Sequence, residues 1–209
     1  MIPVVADADT LFGATTRGLL IHLDYRGLIR LHWSPLILDE LSRALVDTGR
    51  KSDAESARRH EQLMRAALPQ AEIPTRRVQA QFAGMAPAMR SAKDIHVAAC
   101  AGAILADDFY PGTQVVSLFT RNIRDFGVRK LATLGIDVLR PDAFLLHRFQ
   151  QDSEGVASAF AAPALHAALG TRTRPAAGTT GRRRPGPDGG SHARRLATGR
   201  RATLTARSL

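Results

Sequence analysis

Cysteine is almost missing from this 209-residue chain: Cys100 is the single one. One thiol rules out an internal disulfide framework and offers no cysteine-based zinc site. It sits in the apolar run HVAACAGAIL, where a thiol packs as a small buried side chain more readily than it acts as a nucleophile. Aromatic residues are scarce too, 5% against 44% hydrophobic overall, so Leu, Ala and Val have to build the core. No apolar run approaches the ~18 residues that span a bilayer. Residues 1–15 hold aspartates where a secretory signal would place a basic start and an apolar segment. A cytoplasmic protein with no membrane partner is expected.

The folded part also lacks an excess of either charge. The formal net charge is +10, yet residues 171–209 hold ten arginines, no lysine and one acid, Asp188, which amounts to +9. The first 170 residues therefore stand near +1. The tail is rich in Gly, Pro, Thr and Arg; it buries too little apolar surface to offset the entropy of ordering and is expected to be disordered. Such a tail binds RNA non-specifically by releasing counterions, and a solvated extension is the plainer reading. One folded domain is expected over residues 1–150, then a helical extension over 151–170 and the tail over 171–209.

What is present is an alternation of strand-like and helix-like patches. IPVVADA reads as a buried strand and ATTRGLLIHLDYRG as a helix stopped at Gly27. LIRLHW is a second strand, with Trp33 as strand packing. SPLILDELSRALVDTG is a helix punctuated by Ser34 as N-cap, Pro35 at its first position and Gly49 at its end. KSDAESARRHEQLMRAAL is a charged helix, and PQAEIP holds a short strand. AKDIHVAACAGAILA is a buried helix with Asp94 in its first turn, and GTQVVSLFT is a clear strand. A turn and short helix, the strand IDVL and the helix PDAFLLHRFQQ close the pattern. Strands alternating with helices imply an α/β fold with a parallel sheet covered on both faces.

In open parallel sheets the chemistry collects beyond the C-terminal ends of the strands. Asp7 and Asp9 follow the first strand; Thr120, Asn122 and Asp125 follow VVSLF; Asp94 opens the buried helix; Glu40 lies between Leu38 and Leu41 on its own helix. Four distant segments can thus gather acids around one point. Crowded carboxylates repel unless some are protonated or a cation sits among them. An all-oxygen set suits Mg²⁺ or Mn²⁺, where zinc would recruit His or Cys. Metal-assisted phosphodiester hydrolysis is the chemistry such a set serves.

Each residue has a plainer role as well. Asp7, Asp9 and Asp94 serve as helix caps, Glu40 as a half-exposed partner of Arg43, and Asn122 and Asp125 as turn residues. His96, among apolar neighbours, reads as a packed core histidine.

Three blocks taken together resemble the PIN-domain family, the nuclease fold of the VapC-like toxins. VVADADTLF resembles its opening hydrophobic-D-T-N-hydrophobic-L, with Asp9 where Asn is common. SPLILDEL resembles its S-x-x-hydrophobic-hydrophobic-x-E-L helix. KDIHVAACAGA followed by VVSLFTRNIRDF resembles D-x-H-V-hydrophobic-A-A-A and V-T-x-N-hydrophobic-x-D-F of one subgroup. The likeness covers about residues 2–147. It implies a PIN-like α/β/α sandwich and a Mg²⁺- or Mn²⁺-dependent endoribonuclease, the toxin of a type II toxin–antitoxin pair. Its partners would be an RNA substrate, a cognate antitoxin protein and, in many relatives, a second copy. By the same likeness Asp7 and Asp94 hold the metal, Glu40 ligates it or orients its waters, and Asn122 or Asp125 completes the set. Asp9 and Thr120 stand behind them. Asn122 occupies a place where many members carry a fourth aspartate.

Two other classes stay open. A haloacid-dehalogenase-like phosphatase also opens with D-x-D after a strand, but Thr10 follows Asp9 directly and the pair Asp107–Asp108 precedes TRN, the wrong order for its motifs. A PIN fold that binds RNA or a partner with weakened catalysis is the second; intact Asp7, Glu40 and Asp94 argue against it.

Overall fold

A computed structural model describes residues 2–107 and 109–160. The tail expected over 171–209, and residues 161–170 of the extension before it, lie outside the described residues.

The chain folds as β1 (Ile2–Ala6), α1 (Ala8–Phe12), α2 (Ala14–Tyr25), β2 (Ile29–His32), α3 (Pro35–Asp47) and α4 (Ala54–Ala67). Short helices α5 (Thr75–Ala80) and α6 (Phe82–Met85) lead to α7 (Ile95–Ala106) and β3 (Val116–Phe119). Then come α8 (Val128–Thr133), β4 (Ile136–Leu139), α9 (Pro141–Gln151) and α10 (Ser153–Phe160). Among the described residues no helix is long and apolar enough to cross a membrane.

All three strand pairs are parallel, in the order β2-β1-β3-β4. Val4, Val5, Leu31, Leu118 and Phe119 are all buried, as consecutive strand residues must be when both faces are covered. Leftward and rightward crossovers keep the same hand only by using opposite faces. That sends α2 to one face and α7 and α8 to the other, an arrangement compatible with an α/β/α sandwich. Helix α7 is buried from Val97 to Ile104, which explains its unbroken apolar sequence. Helix α10 packs against α2 and α9 and buries Val156.

The punctuation acts as its chemistry dictates. Ser34 Oγ accepts the Ile37 N–H at 3.3 Å, and Pro35 opens α3. Gly27 and Gly49 take φ of 70° and 69° just past α2 and α3, a backbone state that only glycine adopts cheaply. The strand expected in PQAEIP is reduced to a single parallel bridge between Trp33 and Glu72. Its bonds run from Trp33 N to Ala71 O (3.1 Å) and from Ile73 N to Trp33 O (2.8 Å). Pro69 and Pro74 flank this segment and lack the N–H that a longer ladder needs.

Candidate active site

From β1 the chain steps to β2 on one side, then returns across β1 to β3 on the other. The order reverses between β1 and β3, and in open parallel sheets the crevice beyond such a reversal is where ligands bind. Asp7 ends β1 at this point, with its N–H on the carbonyl of Phe119 at 3.0 Å. Thr120 ends β3, tied to Leu139 O at 3.1 Å.

Asp7 is 7% exposed. Its Oδ1 accepts the Thr10 N–H at 2.7 Å and so caps α1, the plainer role in fact filled. Burial pushes its carboxyl up from 3.8 to about 6, against the lowering effect of hydrogen bonds from Thr120 and Thr10. Asp9 stands exposed on the first turn of α1, and its charge raises Asp7 a little further.

Thr120 is fully buried and joins two sides. Its hydroxyl donates to Asp7 and accepts the Asn122 N–H at 3.0 Å. The Asn122 side-chain amide donates to Asp125 Oδ2, and Asp125 stands close enough to Asp94 to push its carboxyl up. One continuous chain of contacts therefore runs Asp7–Thr120–Asn122–Asp125–Asp94.

Two neighbouring carboxylates need a shared proton or a cation. Asp94 is raised by burial, then by the nearness and like charge of Asp125, while Ser91 and Lys93 lower it. Lys93 Nζ is 3.9 Å from Asp125 Oδ2, but its side chain is 72% exposed, so water screens most of that attraction. Although Asp94 precedes α7, its side chain makes no cap hydrogen bond. Its Oδ2 is buried without a hydrogen-bond partner. The capping role is thus unfilled at Asp94, and one oxygen stays available.

Loop stitching holds this pair together. Asp125 O accepts the N–H groups of Arg90 (2.9 Å) and Ser91 (3.1 Å), and Gly127 N donates to Ala88 O at 2.8 Å. A Cβ on Gly127 would lie 2.4 Å from that same carbonyl. Only glycine permits this approach, which fixes the segment carrying Asp94 against the turn Ile123–Asp125.

Glu40 is set apart from the chain. It is half-exposed and its Oε2 lies 3.2 Å from His96 Nε2; contact with His96 chiefly holds its carboxyl below the usual range. His96 therefore differs from the packed core histidine expected: it sits at the start of α7, its Nδ1 2.9 Å from Lys93 O. Arg43, expected as the partner of Glu40, donates Nε to the carbonyl of Asp39 at 3.3 Å and lowers Glu40 only as one of the lesser charges around it. No motif marks His96 as the partner of Glu40, since that contact bridges α3 and α7, and Ser91, three residues before Asp94, acts on it locally without a motif of its own.

Among the described residues no three His, Cys, Asp or Glu side chains converge to hold a metal ion. Mg²⁺ asks less, being held by one or two carboxylates with water and substrate phosphates filling the rest. Asp94 and Asp125 make an all-oxygen pair of that kind, while Asn122 presents its amide nitrogen to Asp125. The unpartnered Asp94 Oδ2 is the observation that fits a hard cation there.

Comparison with known protein families, with curated proteins and with solved structures returns no match.

Proposed function

We propose that the chain is a Mg²⁺- or Mn²⁺-dependent endoribonuclease of PIN-like architecture, hydrolysing RNA phosphodiester bonds. The observation that carries this reading is the chain of contacts from Asp7 to Asp94 at the strand-order reversal, ending in two neighbouring carboxylates with one unpartnered oxygen. The motif likeness at Asp7, Glu40, Asp94 and Asn122–Asp125 agrees with it.

In this reading Asp94 and Asp125 hold the ion, with Asn122 tied to Asp125 through its amide nitrogen. The ion supplies charge stabilisation on the phosphate and a lowered pKa for water. Thr120 fixes the Asp7 carboxylate, and Ser91 orients Asp94. Asp7, pushed up to about 6, is placed to hold or release a proton near neutral pH. Glu40 is kept ionised by His96 and faces a groove that Arg43, Lys93 and Phe82 also line. That groove is where an inhibitory partner would reach the acids if the protein is the toxin of a toxin–antitoxin pair.

Hydrolysis of this kind leaves a 5′-phosphate and a 3′-hydroxyl. End-labelling of the products tests it: 5′-phosphate ends support the reading, whereas 2′,3′-cyclic phosphates would replace it with attack by the ribose hydroxyl. A second reading, a binding module with weakened catalysis, is favoured by the neutral Asn122 and by Glu40 turned towards His96. Binding of RNA without any cleavage would select it.

A further inference from the structure

Acids that hold a metal also repel the phosphates of an RNA strand, so a nuclease site needs cations close by to receive them. We propose that the groove between residues 87–90 and the start of α8 seats the nucleotide next to the scissile phosphate of a single-stranded RNA. The inference rests on the ribonuclease reading and adds to it the place where the strand lies.

The groove has a volume of about 560 Å³, and its lining includes Pro87, Met89, Arg90, Val128, Arg129 and Lys130. That size lies within the roughly 300–1,000 Å³ that takes a small organic ligand. Three of the lining side chains are cationic and none is acidic. Arg90 and Arg129 are exposed and, among the described residues, belong to no ion pair. Lys130 Nζ donates to Pro87 O at 3.0 Å, which ties the two walls together.

Position links the groove to the acids. The Arg90 N–H sits on the main-chain carbonyl of Asp125 at 2.9 Å, so a wall of the groove is pinned to the backbone that carries one of the two acids. Arg90 and Arg129 suit phosphate oxygens on geometric grounds, the guanidinium offering paired donors. Met89 and Val128 supply apolar surface, and a guanidinium plane can stack on a base. A base reaches those surfaces only when unpaired, which selects a single strand over a duplex.

The test uses the full-length protein, a fluorescent unstructured RNA 12-mer and the double variant Arg90→Gln/Arg129→Gln. Two lost phosphate contacts on a single strand should lower the salt slope of binding by about 1.4. KM should rise about tenfold with kcat retained. A 4-thiouridine cross-link in wild type should map to the peptide containing residues 128–130. Wild-type cleavage with unchanged KM and salt slope in the variant, and no such cross-link, would overturn the groove while leaving the ribonuclease reading intact. Failure of wild type to bind or cleave RNA would remove both. Protection of the groove by a glutamate-rich peptide that RNA does not displace would assign it to a protein partner and overturn the proposal.

Discussion

The carboxyl groups of Asp94 and Asp125, 31 positions apart in sequence, are neighbours, and after burial the nearness of Asp125 helps push Asp94 up. Neither caps a buried helix end, and the nearest cation, Lys93, is exposed. Such a pair is unfavourable without a proton or a metal ion to share. Asp125→Asn should therefore raise thermal stability in metal-free buffer and weaken Mn²⁺ binding at least tenfold by calorimetry. Unchanged Mn²⁺ affinity would remove Asp125 from the ligand set.

Gly127 is the hinge of that pairing in a steric sense. A Cβ placed 2.4 Å from the Ala88 carbonyl has to push two loops apart, and overpacking of this kind costs about 1–3 kcal/mol. Gly127→Ala should lower stability by that amount in denaturant titration. It should also lower Mn²⁺ affinity, because Arg90 and Ser91 shift away from Asp125 O. A stability loss with full metal affinity would show that the stitch does not position the acids.

Asp7 gives a pH signature. Its pKa rises from 3.8 to about 6 on folding, so the folded state takes up the proton first as pH falls. Its effect on stability is then a cost above pH 6 that fades as pH drops towards 4. With about 1.4 kcal/mol per pKa unit, that cost is roughly 3 kcal/mol. Asp7→Asn keeps an oxygen for the Thr10 N–H and should stabilise the metal-free protein at pH 7.5 by up to that amount. At pH 3.5 calorimetry should find little difference. Equal stability of the two proteins at pH 7.5 would contradict the buried, strained carboxyl.

Thr120 carries two hydrogen bonds with no exposed surface. Thr120→Val removes the hydroxyl and leaves the Asn122 N–H and the Asp7 carboxylate short of a partner, a loss of about 1–3 kcal/mol. If it orients the acids as proposed, metal affinity or activity should also fall about 10–100-fold. Activity held at the wild-type level would restrict Thr120 to folding.

Much of the fold was legible because its signals are local. Ser34, Pro35 and Gly49 mark α3 through capping and backbone preferences that act within a few residues. The apolar runs of β1, β3 and α7 report burial directly. The strand expected in PQAEIP shrinks to one bridge, since a single bridge and a short strand share the same residue types. Within the candidate site, Asp7, Thr120 and Asn122–Asp125 could be placed because they end adjacent strands. What joins Asp94 to Asp125 could not, for the link is made by backbone groups of Arg90, Ser91 and Ala88 that carry no side-chain signature. The same holds for Gly127, whose need arises from a carbonyl 39 positions earlier. His96 was misplaced for a related reason: apolar neighbours on its own helix say nothing of Glu40 arriving from α3.

Cleavage of a mixed RNA pool by the purified protein tests the central claim most directly. It would be followed with Mn²⁺, with Mg²⁺ and with EDTA, beside Asp94→Asn. The account predicts cutting with either metal, none with EDTA, and a loss of at least about 100-fold in Asp94→Asn, whose fold holds. Cutting that survives EDTA, or that Asp94→Asn retains in full, would contradict a metal-dependent site built on this carboxylate pair.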